Sequence, residues 1–99
     1  MVTAYDVIEK VKKSGKLDKG VNEATKALER SACKLVVYAS DVNPKEIVQH
    51  LPILAKEKGI KCVAVDSRQK LGIAVGIGVS CSAVAVIDAG DAAKDIASL

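Results

Sequence analysis

The most constraining feature of this sequence is the alternation of short, continuous apolar runs with longer amphipathic segments. Apolar runs of strand length lie at Lys34 to Ala39, Lys61 to Asp66 and Ala83 to Ile87. A continuous apolar run is typical of a strand that is buried on both faces of a sheet. The alternation therefore predicts an α/β fold, a three-layer α/β/α sandwich with a small mixed sheet of about four strands.

Capping residues and stop signals predict where the helices lie. Thr3 and Asp6 have the spacing of a reciprocal capping box, and a short segment around Leu17 leads into the second helix. The expected helices run from Thr3 to Ser14, from Asn22 onward, from an Asn43 cap with Pro44 to about Lys58, from Ser67 to Val75 and near Asp91 to Ala97. Pro52 lies inside the third helix and is expected to kink or split it.

The composition is that of one globular domain over residues 1–99, with 49% hydrophobic and 27% charged residues. No apolar run approaches the roughly 20 residues of a membrane span, so we expect a soluble, cytoplasmic protein without a membrane partner. The three cysteines lie far apart and there is one histidine, His50. This pattern argues against a disulfide framework and against a metal site. We therefore expect the three thiols to be reduced.

Positive charge is concentrated in one part of the chain. Between Lys10 and Lys34 there are eight Lys or Arg residues against three acids, whereas Leu71 to Leu99 carries one lysine against three aspartates. A local excess of positive charge suits a polyanion, since phosphate contacts supply affinity and orientation. The alternative is that these lysines only keep a small domain soluble.

The segment Gly20 to Arg30 lies within this basic region. Asn22 and Glu23 offer a donor, an acceptor and an anion at the start of a predicted helix, and Lys26 follows one turn later on the same face. Such a set can read the edge of a nucleobase while a lysine holds the backbone. The alternative is an ordinary capped helix, with Asn22 as the cap and Glu23 complementing the helix dipole.

This segment resembles the signature of the ribosomal-protein L7Ae family of kink-turn RNA-binding proteins, Gly-x-Asn-Glu-x-Thr-Lys-x-x-x-Arg. A second similar segment is Ala39-Ser-Asp-Val-Asn-Pro44 with Glu46-Ile47 and His50-Leu51-Pro52, and a third is Lys70-Leu-Gly72 through Ser82. The resemblance extends over roughly Ser14 to Gly90. It implies RNA binding at kink-turns, where tandem sheared G·A pairs lie beside a bulge.

The resemblance also implies roles for individual residues. Glu23 would accept the N–H groups of a guanine edge, with Asn22 and Lys26 on the carbonyl side. The phosphates would be held by Lys16, Lys19, Arg30 and the Gly20 backbone. The bulged nucleotides would contact Ile47 and the loop residues Ile77, Gly78 and Val79, with a hydrogen bond from Asp41 or Asn43. Ile77 follows Gly76 in a loop, and we expect it to be exposed rather than part of the core.

No nucleophile motif accompanies His50, which we expect to be a helix-surface or structural residue, and the glycines Gly72, Gly76 and Gly78 match no nucleotide-binding fingerprint. We therefore expect no enzyme activity, no cofactor and no metal. The implied partners are kink-turn RNA, namely ribosomal RNA, a box C/D or H/ACA guide RNA or the RNA of ribonuclease P, and other ribonucleoprotein subunits. The free chain is expected to be a monomer.

Two other functions remain open on the sequence. A ribosomal protein of the same fold could contact RNA without kink-turn specificity. A small metabolite-binding α/β domain could use the glycine-rich loop instead.

Overall fold

The computed structural model describes residues 3–42, 46–97 and 99, without the side chains of Ile47 and Asp91. The helices are α1 (Ala4–Ser14), α2 (Val21–Glu29), α3 (Glu46–Lys58), α4 (Arg68–Val75) and α5 (Ala93–Ala97), with a 3-10 turn at Gly90–Ala92. The strands are β1 (Lys16–Lys19), β2 (Leu35–Ala39), β3 (Lys61–Val65) and β4 (Ala83–Asp88). The predicted α/β fold with a small mixed sheet is confirmed.

The four strands form one sheet in the order β1-β4-β2-β3. β4 is antiparallel to both of its neighbours, whereas β2 and β3 are parallel and are joined through α3. Helices α2 and α3 pack together over one side of the sheet, and α1 packs with α4 over the other. These are the three layers that the apolar runs predicted.

Burial along the strands follows from this order. In β4, Ala83 to Val86 are all buried, and β2 is buried at four of its five positions. The edge strands β1 and β3 are only partly buried. A strand covered by helices on both faces must be apolar at successive positions, so the two central strands are also the clearest strands in the sequence.

The short segment around Leu17 is the fourth strand. Leu17 pairs with Val86, and Lys19 pairs with Val84, both on β4. The four residues from Lys16 to Lys19 form a pattern too short to predict a strand on its own. β1 is defined by its pairing with β4, which sequence pattern cannot show.

Two expectations about helices need correction. The cap of α2 is Gly20, with a φ of 102° and no side-chain cap, so the alternative that Asn22 caps this helix is wrong. Helix α3 is continuous from Glu46 to Lys58 with Pro52 inside it, so a split at Pro52 is wrong, whereas a kink there stays a prediction. Proline removes one hydrogen bond of the helix, and the buried Leu51 and Ala55 on either side keep the helix packed.

Other helix boundaries agree with the capping signals. Thr3 and Asp6 form the predicted capping box, and the Ser67 hydroxyl accepts from Lys70 N. The last helix is shorter than expected, since the 3-10 turn precedes α5. The predicted cap at Asn43 and Pro44 lies outside the described residues. Among the helices that the structure describes, none has the length and apolar character to cross a membrane.

Candidate functional site

One end of the sheet gathers most of the predicted binding residues. The carboxyl ends of β1, β2 and β3 meet the start of β4 there. Gly20 N donates to Ala83 O at 2.7 Å, and Ala39 N donates to Ser82 O at 2.9 Å. These bonds bring the start of α2 and the loop before β4 to the same edge.

The start of α2 borders a shallow depression, which we call the helix-start depression. Its lining residues come from β1, α2 and α3, and they are Lys19, Gly20, Val21, Asn22, Glu23 and His50. Gly20 has a positive φ, and a Cβ added to it would meet no atom within 4 Å. Glycine is therefore required there by the backbone conformation, and its surface is open to a ligand.

Asn22, Glu23 and Lys26 are all exposed on the first turns of α2. Lys26 Nζ lies 3.8 Å from Glu23 Oε1, with 60% and 51% of the two side chains exposed. This separation is longer than a hydrogen bond, and such an exposed pair contributes little to stability. Both groups therefore keep their hydrogen-bonding capacity for a ligand.

His50 is held beneath this surface by a hydrogen bond between helices. The Thr25 hydroxyl lies 2.8 Å from Val21 O, to which it can donate, and 2.7 Å from His50 Nε2, where the donor and acceptor roles depend on the histidine tautomer. The expectation that His50 is structural agrees with this contact. Its place beside Asn22 and Glu23 was not predicted, because no local pattern shows that α3 packs on α2.

We expect Thr25→Val to lower the free energy of unfolding by about 1 kcal/mol, because it removes both hydrogen bonds and leaves His50 Nε2 without its Thr25 partner. Chemical denaturation measures the change. The matched control is Thr25→Ser, which keeps the hydroxyl and should retain most of the stability. A Thr25→Val protein as stable as the unchanged chain would show that these hydrogen bonds contribute nothing to stability.

The loop before β4 borders a second depression, the loop depression. It is lined by Asp41, Arg68, Gln69, Ile73, Gly78, Val79 and Ser80. Two of its apolar side chains are largely exposed, Ile73 at 68% and Val79 at 67%. Asp41 Oδ1 accepts from Arg68 N at 2.9 Å, which joins the end of β2 to the start of α4.

Arg68, Gln69 and Ile73 are loop-depression residues that the sequence analysis did not select. Arg68 lies in the first turn of α4, which contains no acid of its own, and its backbone N–H is bound by the Asp41 carboxylate from the end of β2.

The position of α4 is fixed by Tyr5 of α1, the helix that packs beside α4 on the same side of the sheet. The Tyr5 hydroxyl donates to Asp66 Oδ1 at 2.6 Å and accepts from Ser67 N at 3.1 Å. The Tyr5 hydrogen bond is the main reason that the pKa of the Asp66 carboxyl is lowered. This contact sets the turn immediately before Arg68.

A third depression joins the other two. Its lining residues are Lys19, Gly20, Val21, Ile77, Ser80, Cys81 and Ser82. Ile77 is half-buried and packs against the core, so the expectation that it is exposed rather than part of the core needs correction, whereas Val79 is largely exposed. Ile77 N donates to Gly72 O at 3.2 Å, and this bond draws the residue toward α4.

Cys81 offers no reactive thiolate in this depression. Burial raises the pKa of the Cys81 thiol, which donates to Ala83 O at 3.1 Å. A neutral, hydrogen-bonded thiol is a poor nucleophile.

The remaining predicted residues are not all brought together. Lys16 is exposed at the start of β1, one strand length from Lys19. Arg30 caps the far end of α2, about 12 Å along the helix axis from Asn22. The Asn43 residue and the Ile47 side chain lie outside the described part of the chain.

The fold and the site define an α/β domain whose sheet end carries an exposed polar and basic surface beside an apolar loop. The model of the Ribosomal protein L7Ae/L30e/S12e/Gadd45 family matches residues 3–96, and the chain belongs to this family. The family places the chain among ribosomal proteins rather than enzymes.

Two similar proteins agree with this assignment. The large ribosomal subunit protein eL8 of Nitrosopumilus maritimus (strain SCM1) is 54% identical over 79 residues, which are 80% of this chain and 62% of that protein. The chain thus spans less than two thirds of this relative. The solved structure of the Giardia lamblia 15.5kD RNA binding protein superposes with a TM-score of 0.85 at 29% identity, covering 95% of this chain and 78% of that one.

Proposed function

We propose that this chain is an RNA-binding protein that recognises kink-turns and stabilises them within ribonucleoproteins in the cytoplasm. The observation that carries the proposal is the helix-start depression, where exposed Asn22 and Glu23 lie beside the open backbone of Gly20 and next to Lys19. The similarity to a ribosomal protein and to an RNA binding protein supports the choice of RNA as the ligand.

The chemistry of a kink-turn suits this surface. RNA is read where bases are exposed outside the A-form helix, because its major groove is too narrow for side chains. A sheared G·A pair leaves the guanine Watson–Crick edge open. The Glu23 carboxylate accepts its N–H groups, while Asn22 and Lys26 donate on the carbonyl side.

The loop depression supplies a second kind of contact. Val79 and Ile73 expose apolar surface beside the Asp41 carboxylate, which suits a base that has left the helix stack. The chain has no Phe or Trp, and aromatic platforms are the usual device of proteins that bind unstructured single strands. A shaped RNA therefore fits this surface better than an unstructured one.

The assembly role follows from binding one RNA shape. A protein that favours the kinked form over the extended form shifts the RNA toward the kink by its difference in affinity. The proposed targets are ribosomal RNA, guide RNA of the box C/D or H/ACA type and ribonuclease P RNA, with other ribonucleoprotein subunits as protein partners. The free chain is proposed to be a monomer.

A gel-shift comparison tests the proposal. The two RNAs are a stem with a kink-turn and the same stem with its G·A pairs replaced by Watson–Crick pairs, at one fixed salt concentration because phosphate contacts make affinity salt-dependent. We expect tighter binding to the kinked stem. Equal affinity for the two stems would favour a ribosomal protein without kink-turn specificity. A chain that binds neither stem but whose thermal midpoint rises when nucleotides are added would favour a metabolite-binding domain.

The different burial of Val79 and Ile77 gives a prediction at the loop. Val79→Ser should weaken the RNA complex by about 1 kcal/mol through lost apolar contact, with the free energy of unfolding within about 0.5 kcal/mol of the unchanged chain. Ile77→Ser should also lower folding stability, because Ile77 packs partly on the core. Binding and denaturation measured on both variants check this, and full RNA affinity in Val79→Ser would remove the loop from the interface.

A further inference from the structure

Lysines extend beyond the helix-start depression on the side of α1. Lys12 lies in the last turn of α1, and Lys16 and Lys19 lie at the two ends of β1. Together they line a groove with Gly15, Leu17 and Val75, and no acid is among these lining residues. We propose that this lysine groove binds the sugar-phosphate backbone of a stem leaving the kink, and that Lys12 is a further RNA contact. The inference rests on the proposed function.

Lys12 is directed toward the site by a glycine. Gly76 ends α4 with a φ of 85°, and a Cβ added there would lie 3.0 Å from Lys12 Cδ and 3.2 Å from Lys12 Nζ. The stem of Lys12 therefore lies across the backbone of Gly76, immediately before Ile77. The absence of a side chain at Gly76 leaves the space for the Lys12 ammonium beside the loop.

The lysine groove is continuous with the proposed RNA site. Lys19 lines the helix-start depression, the depression that joins it to the loop, and the lysine groove. This shared corner offers a continuous path to an RNA strand whose bases contact Asn22 and Glu23. A row of cations without acids along that path has the charge that a phosphate backbone requires.

A structural role for Lys12 is the competing explanation. A cation in the last turn of α1 interacts favourably with the helix dipole, but Lys13 lies in the same turn and has the same charge. Of these two lysines of α1, Lys12 lines the lysine groove and Lys13 does not. The two lysines therefore form a matched pair that separates an RNA contact from a dipole effect.

The test compares Lys12→Gln with Lys13→Gln. Each variant is titrated with a kink-turn RNA with long stems over a series of salt concentrations, and its thermal midpoint is recorded. We expect Lys12→Gln to reduce the slope of log affinity against log salt by about 0.7–1, the change for one lost phosphate contact. Lys13→Gln should keep the slope of the unchanged chain, and both variants should melt at about the same temperature.

The outcomes separate this inference from the proposed function. Equal slopes in the two variants would overturn the role of Lys12, even if the unchanged chain prefers kinked RNA. Equal binding of kinked and plain stems by the unchanged chain would overturn the proposed function, while the slope would still decide whether Lys12 contacts a backbone. Shortening the two stems in turn should abolish the Lys12 effect for one of them, and an effect that survives both truncations would overturn the assignment to a stem.

Discussion

Replacement of Gly72 by alanine is expected to lower the free energy of unfolding by at least about 2 kcal/mol. A Cβ at this position would lie 1.8 Å from Val79 O and 2.8 Å from Val79 C. Both are backbone atoms that no side-chain rotation can move, so α4 or the loop must shift, and overpacking of this kind commonly costs about 1–3 kcal/mol or more. In the middle of an ordinary helix, replacing glycine by alanine stabilises the fold by about 0.5–1 kcal/mol. The sign of the change in the free energy of unfolding therefore already tests the prediction.

The same variant should weaken RNA binding, because Gly72 holds the loop at several points. Its carbonyl accepts from Gly76 N at 3.0 Å and from Ile77 N at 3.2 Å. Chemical denaturation and RNA titration of the variant measure the two losses. The control is Lys70→Ala, an exposed position on the same helix, which should change stability by no more than about 0.5 kcal/mol. A Gly72→Ala protein as stable as the unchanged chain would contradict the prediction and show that the loop can shift at little cost in free energy.

The core of this fold can be predicted from the sequence, because a strand that is buried on both faces appears as a continuous apolar run. β2 and β4 are central strands and give continuous apolar runs, and Thr3 and Ser67 are local caps whose partners lie three residues away. β1 gives no such signal. Its place in the sheet depends on Leu17 meeting Val86, nearly seventy residues later, and that information is absent from a local window.

The binding surface divides in the same way. Gly20, Asn22 and Glu23 are neighbours in the chain, so their proximity could be predicted from sequence. His50 and Arg68 join the site only through packing of α3 on α2 and of α4 beside the end of β2. The family resemblance placed the loop at the site, but the packing of Ile77 against the core and its hydrogen bond to Gly72 O could not be predicted.

Replacement of Glu23 by alanine is expected to weaken binding of kink-turn RNA by about 1–3 kcal/mol, which is a change in Kd of about 5- to 150-fold. Glu23 is exposed beside Asn22, and its carboxylate oxygens are free to accept the N–H groups of a guanine edge. The variant should also lose its preference for the stem with G·A pairs. Stability should hardly change, since the 3.8 Å contact with Lys26 is an exposed pair of small energetic value.

The direction of this effect separates base recognition from simple charge attraction. Removal of an anion that faces a polyanion should tighten binding on a purely electrostatic account, and it would also release Lys26 for a phosphate. Glu29→Ala is the matched control, because Glu29 is an exposed acid at the opposite end of the same helix. We expect that control to bind kinked RNA as well as the unchanged chain or slightly better. Tighter binding in both variants would show that Glu23 contributes only its charge and that the guanine edge is read by other residues or not at all.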